Sequence, residues 1–375
     1  VRCWIELNAA ALKRNIAVFR KLAGTAIMVP VIKSNAYGHG LKETYDILAS
    51  SQAECFGVNY LSEAATLRQL GYKNRVLVVG PIHPKACAEA FELDADIFLG
   101  EETTLQEWIQ TPAAQKPRGH LKIDTGMSRQ GFLPDQAPSL ITRLLPHKER
   151  LVGICSHFSN VEDVLEQTYA NQQMDAFTSV VHQFRAAGFQ LLSHIAASSS
   201  ALIMQASRFD LVRVGISIYG LWPSRATQLS FLQSFGKLVE LEPVLSWKTE
   251  VAIVKGVHAG QFIGYGCTYK ALRDMTIAVL PVGYYEGYPR LASNRGHVLI
   301  HGQRCPIVGR ICMNMMMVDI SHVSHVKTGE PVTLIGSDGA EHIEATHIGE
   351  WADTIHYEIV TQLNPAIPRR VVSSS

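Results

Sequence analysis

Short apolar runs alternate with amphipathic stretches along the first two thirds of the chain. The runs cover residues 27–33, 55–59, 75–79, 96–99, 121–124, 151–157, 191–195 and 211–214. Short, nearly unbroken apolar runs of this kind suit strands buried on both faces of a parallel sheet. Between them lie segments such as 61–70. Its apolar residues Leu61, Ala64, Leu67 and Leu70 mark one helical face, and Gly71 follows as a closing cap. Eight strand candidates with helical crossovers predict a parallel α/β sheet closed on itself, a (β/α)8 TIM-type barrel. Lys33, Asp124, His157 and Arg213 fall at or near the C-terminal ends of their runs. A barrel gathers those ends on one rim, where sites form. The rival architecture, a doubly wound open sheet, usually carries a glycine-rich phosphate turn after its first strand. Here that position reads Lys33-Ser34-Asn35-Ala36-Tyr37.

Beyond residue 235 the pattern changes to alternating segments rich in β formers, at 246–254, 276–280, 296–300, 315–320 and 331–335. Gly, Asn and Pro punctuate them. The expected organisation is a barrel over 8–235 and a predominantly β-strand domain over 236–375. The β-like segment 3–7 precedes the first helix and suits either domain by its own pattern; the division adopted here groups residues 1–7 with the β domain.

Composition narrows the function classes. Hydrophobic residues make up 47% of the chain and charged residues 18%, which excludes a disordered protein. A net charge of +1 gives no global field toward nucleic acid or anionic lipid. No apolar run approaches the roughly 18 to 20 residues of a membrane span, and the first residues lack the pattern of a signal peptide. The seven cysteines are widely spaced with no C-x-x-C pair, so they are expected as buried small hydrophobes in a reducing, cytoplasmic compartment. No metal site is expected from the histidines, which lack carboxylate or cysteine partners at a ligand spacing.

Lys33 ends a strand apolar enough to desolvate its amine, which lowers the pKa and suits a Schiff base. A rim lysine reaching to solvent is the alternative. Arg213 precedes Val214-Gly215-Ile216-Ser217, and Gly215 permits close approach of a ligand to the backbone. His157 and Ser198 point to the same rim, and Tyr37 and Ser198 offer hydroxyls to a phosphate; the alternative is that Ser198–Ser200 only open a helix. Lys122, Asp124 and Arg129 read either as one strand face with its loop or as a surface ion-pair cluster. Tyr265 stands between Gly264 and Gly266, an exposed phenol on a turn.

Together these segments resemble the alanine racemases, which are pyridoxal 5'-phosphate (PLP) enzymes. The resemblance rests on 31–40 around Lys33, on 122–129, on 156–158, on 194–198, on 209–216, on 264–269, on 309–313 and on Tyr357-Glu358. It spans nearly the whole chain, in family order. It implies a homodimer whose active sites are shared between subunits, with a small amino acid as substrate and no nucleic acid or membrane partner. It further implies that Lys33 holds PLP as an aldimine and that Lys33 and Tyr265 are the two catalytic bases, Tyr265 coming from the other subunit. Tyr37, Ser198, Tyr357 and the backbone of Gly215 and Ile216 would hold the phosphate. Arg213 would face the pyridine nitrogen, with His157 bonded to it. Arg129 would meet the phenolic oxygen and the substrate carboxylate, helped by the backbone of Met313 of the partner subunit. Lys122 occupies the position of a lysine often carbamylated in the family. The implied activity interconverts L- and D-alanine and supplies D-alanine for peptidoglycan. A serine or broad-spectrum racemase, a PLP decarboxylase of like architecture and a PLP carrier are the other readings weighed. Ala197, Val214 and Asn314 depart from the family's usual residues.

Overall fold

The computed structural model describes residues 2–49, 53–162 and 164–373. The chain divides into two compact units. One comprises Ala11–Ser34 and Thr44–Glu242. The other comprises the residues up to Ala10, Asn35–Glu43 and the residues from Pro243 onward.

Strand β1 (Cys3–Asn8) belongs to the second unit. The barrel strands follow as β2 (Ile27–Pro30), β3 (Cys55–Val58), β4 (Arg75–Val78), β5 (Ala95–Leu99), β6 (Gly119–Lys122), β7 (Leu151–Cys155), β8 (Leu192–His194) and β9 (Leu211–Val214). Strands β3 to β8 pair in order, all parallel, and β2 pairs with β9. The two groups join at both edges. Ile32 N donates to Gly57 O at 2.8 Å on one side, and Arg213 N donates to Ala196 O at 3.0 Å on the other. The sheet is therefore closed, as the alternating pattern predicts. Val29, Cys55, Leu77, Phe98, Cys155 and Leu211 pack together in a buried core cluster of this unit. The predicted helix forms over Leu61–Gln69, burying Leu61, Ala64 and Leu67, and Gly71 takes φ +94° just beyond it.

In the second unit β1 sits between β10 (Leu245–Glu250), antiparallel, and β20 (Arg369–Val372), parallel. Strand β10 continues to β18 (Pro331–Asp338), and from there the sheet runs through β15 (His297–Ile300) to β16 (Gln303–Pro306), with β19 (Glu341–Ile343) also pairing β18. A second sheet joins β11 (Ile253–Val257), β14 (Met275–Leu280) and β17 (Met316–Asp319). A two-residue ribbon pairs β12 (Phe262–Ile263) with β13 (Tyr269–Lys270). Trp247 and Tyr288 are fully buried, with ring centroids 5.8 Å apart.

The stretch Asn35–Glu43, assigned to the barrel by the sequence, packs with this β unit. Arg369 Nη2 donates to Gly38 O at 2.9 Å, and a Cβ on Gly38 would lie 1.7 Å from Val360 O. Cys3, Cys55, Cys87, Cys155 and Cys305 are buried, while Cys267 is exposed. Among the described residues no helix is long and apolar enough to cross a membrane.

Candidate active site

Lys33 leaves the barrel just past β2, after Val31 N has bonded to Val214 O and Ile32 N to Gly57 O, both at 2.8 Å. Burial lowers the proton affinity of its amine, and the charges of Arg129 and Arg213 lower it further against the opposing pull of Glu63. Lys33 begins a single helical turn, Lys33–Tyr37. Ser34, Asn35, Ala36 and Tyr37 all have φ between +53° and +55°, so the turn is left-handed. On the barrel side Glu63 holds it: Ser34 N donates to Oε1 at 2.6 Å, and Asn59 N to Oε2 at 2.7 Å.

Lys122 ends β6 and is 3% exposed. A surface ion-pair cluster is therefore not what this segment forms. Burial pushes the Lys122 amine down to about 7. Asp124 lies beyond the strand rather than beside Lys122 on its face. Its Oδ1 accepts from the backbone N–H of Gly126, Met127 and Ser128 at 2.9, 2.9 and 3.1 Å. That cradle shapes the loop carrying the exposed Arg129.

Arg213 is 6% exposed, on β9. Its Nη2 donates to Ser156 O at 2.8 Å, to Ile195 O at 3.1 Å and, more distantly, to His157 Nδ1 at 3.4 Å. Its closest imidazole partner is His194, bonded Nη1 to Nδ1. Burial, then the Arg213 charge, holds His157 and His194 well below the usual histidine range, so both rings are neutral. The sequence reading passed over His194 as a partner of Arg213. The signal was present, since residue 194 is a histidine inside the apolar run 191–195 and lies at the end of β8.

Ser198 opens the helix Ser198–Ile203, yet the capping is done by Ser200, whose Oγ accepts from Ala197 N at 2.9 Å. The Ser198 hydroxyl instead accepts from Gly215 N at 3.1 Å. With its oxygen accepting from Gly215, Ser198 keeps its hydroxyl hydrogen for a ligand at the end of β9, beside the backbone of Gly215 and Ile216, a place suited to a phosphate.

In the β unit, Tyr37 and Tyr357 have ring centroids 6.4 Å apart. Burial pushes the Tyr37 phenol up to about 12, so it stays a proton donor. Tyr265 is 69% exposed, on a turn shaped by Gly264 at φ +74° and Gly266 at φ +72°. Met313 is 55% exposed. Asn314 donates from Nδ2 to Glu286 Oε1 at 2.8 Å, a bond that an aspartate at this position would lack.

Residues 7–223 match the family model described as alanine racemase, N-terminal domain, and residues 244–371 match alanine racemase, C-terminal domain. The alanine racemase of Leptospira interrogans is 36% identical over 98% of this chain and 95% of its own length. That of Halothermothrix orenii is 34% identical over 98% and 96%. Among solved structures, the alanine racemase of a D-cycloserine-producing Streptomyces lavendulae superposes with a TM-score of 0.91 at 30% identity, covering 100% of this chain and 98% of that one. The alanine racemase of Bacillus anthracis, solved with bound L-Ala-P, gives 0.90 at 30% identity, covering 100% and 95%.

Proposed function

The chain belongs to the alanine racemase family and is a racemase, and from that premise we propose that it interconverts L- and D-alanine with PLP as cofactor. The observation that carries the reading is the Lys33 amine, half-buried on the barrel rim and disposed to lose its proton beside Arg129 and Arg213. A neutral amine is the form that condenses with an aldehyde. The Ser198 hydroxyl, held beside the backbone of Gly215 and Ile216, fits the cofactor's phosphate, and the backbone of those two residues and the hydroxyls of Tyr37 and Tyr357 are the further partners that the family implies.

When bound, PLP supplies an electron sink for the charge left on the α carbon after proton removal. The chain does the rest. Lys33 anchors the cofactor and then moves a proton at one face of the α carbon. Tyr265 of the partner subunit moves it at the other, so the active unit is a homodimer; its exposure on each chain supports that supply from outside. Both groups work as acid and base in turn. Arg213 would face the pyridine nitrogen as a donor only. A guanidinium has N–H groups and no acceptor, so a ring nitrogen held there would be left unprotonated and would make a weaker electron sink, less given to transamination. His157 contacts Arg213 and steadies it. Arg129 would take the phenolic oxygen and the substrate carboxylate, helped by the backbone of Met313 of the partner subunit. Burial brings the Lys122 amine down to about 7, so near neutral pH its neutral fraction would add to carbon dioxide with release of a proton, and the carbamate would orient Arg129. The product serves as D-alanine for peptidoglycan in the cytoplasm.

The test is D-alanine release from L-alanine, in a screen that includes serine and other small amino acids. Borohydride reduction followed by peptide mapping should label Lys33, and Lys33→Ala should lose both the label and the cofactor's visible band. Tyr265→Phe should keep the band and slow proton removal from the L isomer. A label elsewhere in the chain sinks the proposal.

A further inference from the structure

Barrel interiors are usually filled by branched aliphatic side chains. This one buries a line of charged and polar groups that climbs from the N-terminal ends of the strands to Arg213. Asp96, near the start of β5, is 2% exposed. It accepts from Arg118 Nε at 2.5 Å and lies 3.4 Å from Arg75 Nε. Burial alone would raise the Asp96 carboxyl, but the His120 bond and the charges of Arg75 and Arg118 bring it below its ordinary value. His120, on β6 and 1% exposed, meets Asp96 Oδ2 through Nε2 at 3.3 Å and His194 Nε2 through Nδ1 at 2.8 Å. His194 meets Arg213 through Nδ1.

Room has been made for these rings. Gly153 on β7 pairs opposite His120, and a Cβ there would lie 2.0 Å from His120 Nδ1. Phe98 packs beside both, its centroid 6.3 Å from His120 and 6.0 Å from His194. Well-packed hydrocarbon would serve stability at least as well as these buried ionic groups. The line therefore calls for a role beyond filling space.

The chemistry of the donors fixes its direction. Arg213 has no acceptor, so it donates to His194 Nδ1. His194 must then carry its proton on Nε2 and donate it to His120 Nδ1. His120 in turn is neutral, with its proton on Nε2, and donates to Asp96. A proton on Nδ1 of either ring would set two N–H groups against each other. We propose that Asp96, His120 and His194 form a one-way hydrogen-bond chain that positions Arg213, so that the far end of the barrel governs how the guanidinium is presented at the rim. Asp96, His120 and His194 are positioning residues, since the chain reaches the cofactor only through Arg213. Its connection to catalysis rests on the reading of Arg213 given above.

The experiment compares the holoenzyme with Asp96→Asn, His120→Leu, His120→Gln and Phe98→Leu. Solid-state NMR on protein labelled with 15N-histidine, assigned by difference with the variants, should find His120 and His194 neutral and protonated on Nε2. A ring protonated on Nδ1, or on both nitrogens, overturns the proposal. With 15N-labelled PLP, Asp96→Asn and His120→Leu should move the ring-nitrogen signal toward the protonated form and raise transamination per racemisation turnover by about tenfold, the ratio that one unit of pKa represents. His120→Gln accepts and donates in the same order and should restore the parent values. Phe98→Leu should lower the melting temperature while leaving the nitrogen signal in place. If His120→Leu folds and moves neither the signal nor the partition, the chain does not position Arg213. Borohydride labelling of Lys33 is scored separately, so a failure of the PLP reading is distinguishable from a failure of this one.

Discussion

Replacing Lys122 by methionine should flatten the dependence of stability on pH. The amine is 3% exposed, and burial is the chief cause that brings it from its ordinary 10.5 to about 7. Between those two values the unfolded chain binds a proton that the folded protein does not, so stability rises with pH across that window. Below about pH 7 both states hold the proton and the full penalty is present; above about 10.5 it is gone. The displacement is about 3.5 pH units, and at 1.36 kcal/mol per unit it comes to on the order of 5 kcal/mol as an upper figure. One proton gives a slope of at most about 1.4 kcal/mol per pH unit. Lys122→Met removes the charge and keeps a similar length, so it should gain most over the parent near pH 7 and lose that gain toward pH 10. Urea denaturation of both proteins in carbon dioxide-free buffer, at several pH values from 7 to 10, reads the two slopes. Bicarbonate supplies a further arm. A carbamate would replace the buried cation by an anion near Arg129 and Arg213, so the parent should flatten too while Lys122→Met stays unchanged. Parallel slopes for parent and variant would show that the amine does not carry this penalty.

Three further outcomes are expected. Gly38→Ala puts a side chain on a residue at φ +81° with backbone oxygen 1.7 Å from its Cβ, while Gly24→Ala at φ +64° meets nothing within 4 Å among the described residues. Both carry left-handed strain of about 1–2 kcal/mol, and Gly38→Ala adds overpacking of about 1–3 kcal/mol, so equal urea midpoints for the two would contradict the geometry. Ser198→Ala removes the hydroxyl donor that Gly215 N holds in place at the end of β9. It should weaken binding of PLP by about 1–3 kcal/mol and leave binding of pyridoxal unchanged in fluorescence titrations of the apoprotein; equal losses for both compounds would exclude a phosphate role. Glu63→Ala frees the amides of Ser34 and Asn59 from a charged acceptor. Exchange at Ser34 should quicken about tenfold or more by hydrogen-exchange mass spectrometry, given the roughly 1.5–3 kcal/mol of such bonds.

The barrel was legible because strands buried on both faces read as continuous apolar runs whatever their neighbours. The β unit was less so. The run 246–254 predicts one strand and forms two, β10 and β11. The break falls where the chain changes partner: Val251 N bonds Glu330 O at 2.9 Å, and Ala252 N bonds Val279 O at 2.9 Å. Local alternation carries no record of which sheet a residue joins. The short strands β12, β13, β16 and β19 escaped for a like reason, since two to four residues are too few for a period to show. At the site, Lys33, Arg213 and Ser198 announced themselves by ending apolar runs. Asp124 was misplaced because counting by twos along a strand cannot tell that the strand stops at Lys122. His120 and Asp96 went unread because a polar residue inside a short strand looks the same whether it faces solvent or its own kind across a barrel.

The left-handed turn after Lys33 was the feature least legible and bears most directly on the amine. Asn35 and the glycines at 38 and 40 tolerate positive φ, but Ala36 and Tyr37 gain nothing from it. At about 1–2 kcal/mol for each non-glycine residue, four in a row cost several kcal/mol. Such strain persists only where its surroundings determine it on more than one side. Glu63 binds the turn at its start. At its far end Gly40 N donates to Asn35 O at 2.9 Å and Leu41 N to Asn35 Oδ1 at 2.8 Å, while His39 N donates to Ala36 O at 3.0 Å. A lysine that merely reached for solvent would need none of this, since a flexible stem finds water from any backbone. On this strained turn, held by Glu63 at its start, the backbone that carries the amine is fixed before any ligand arrives. The backbone's share of the ordering cost has thus been met in folding, which is what the proposed attachment of a cofactor at this lysine would call for.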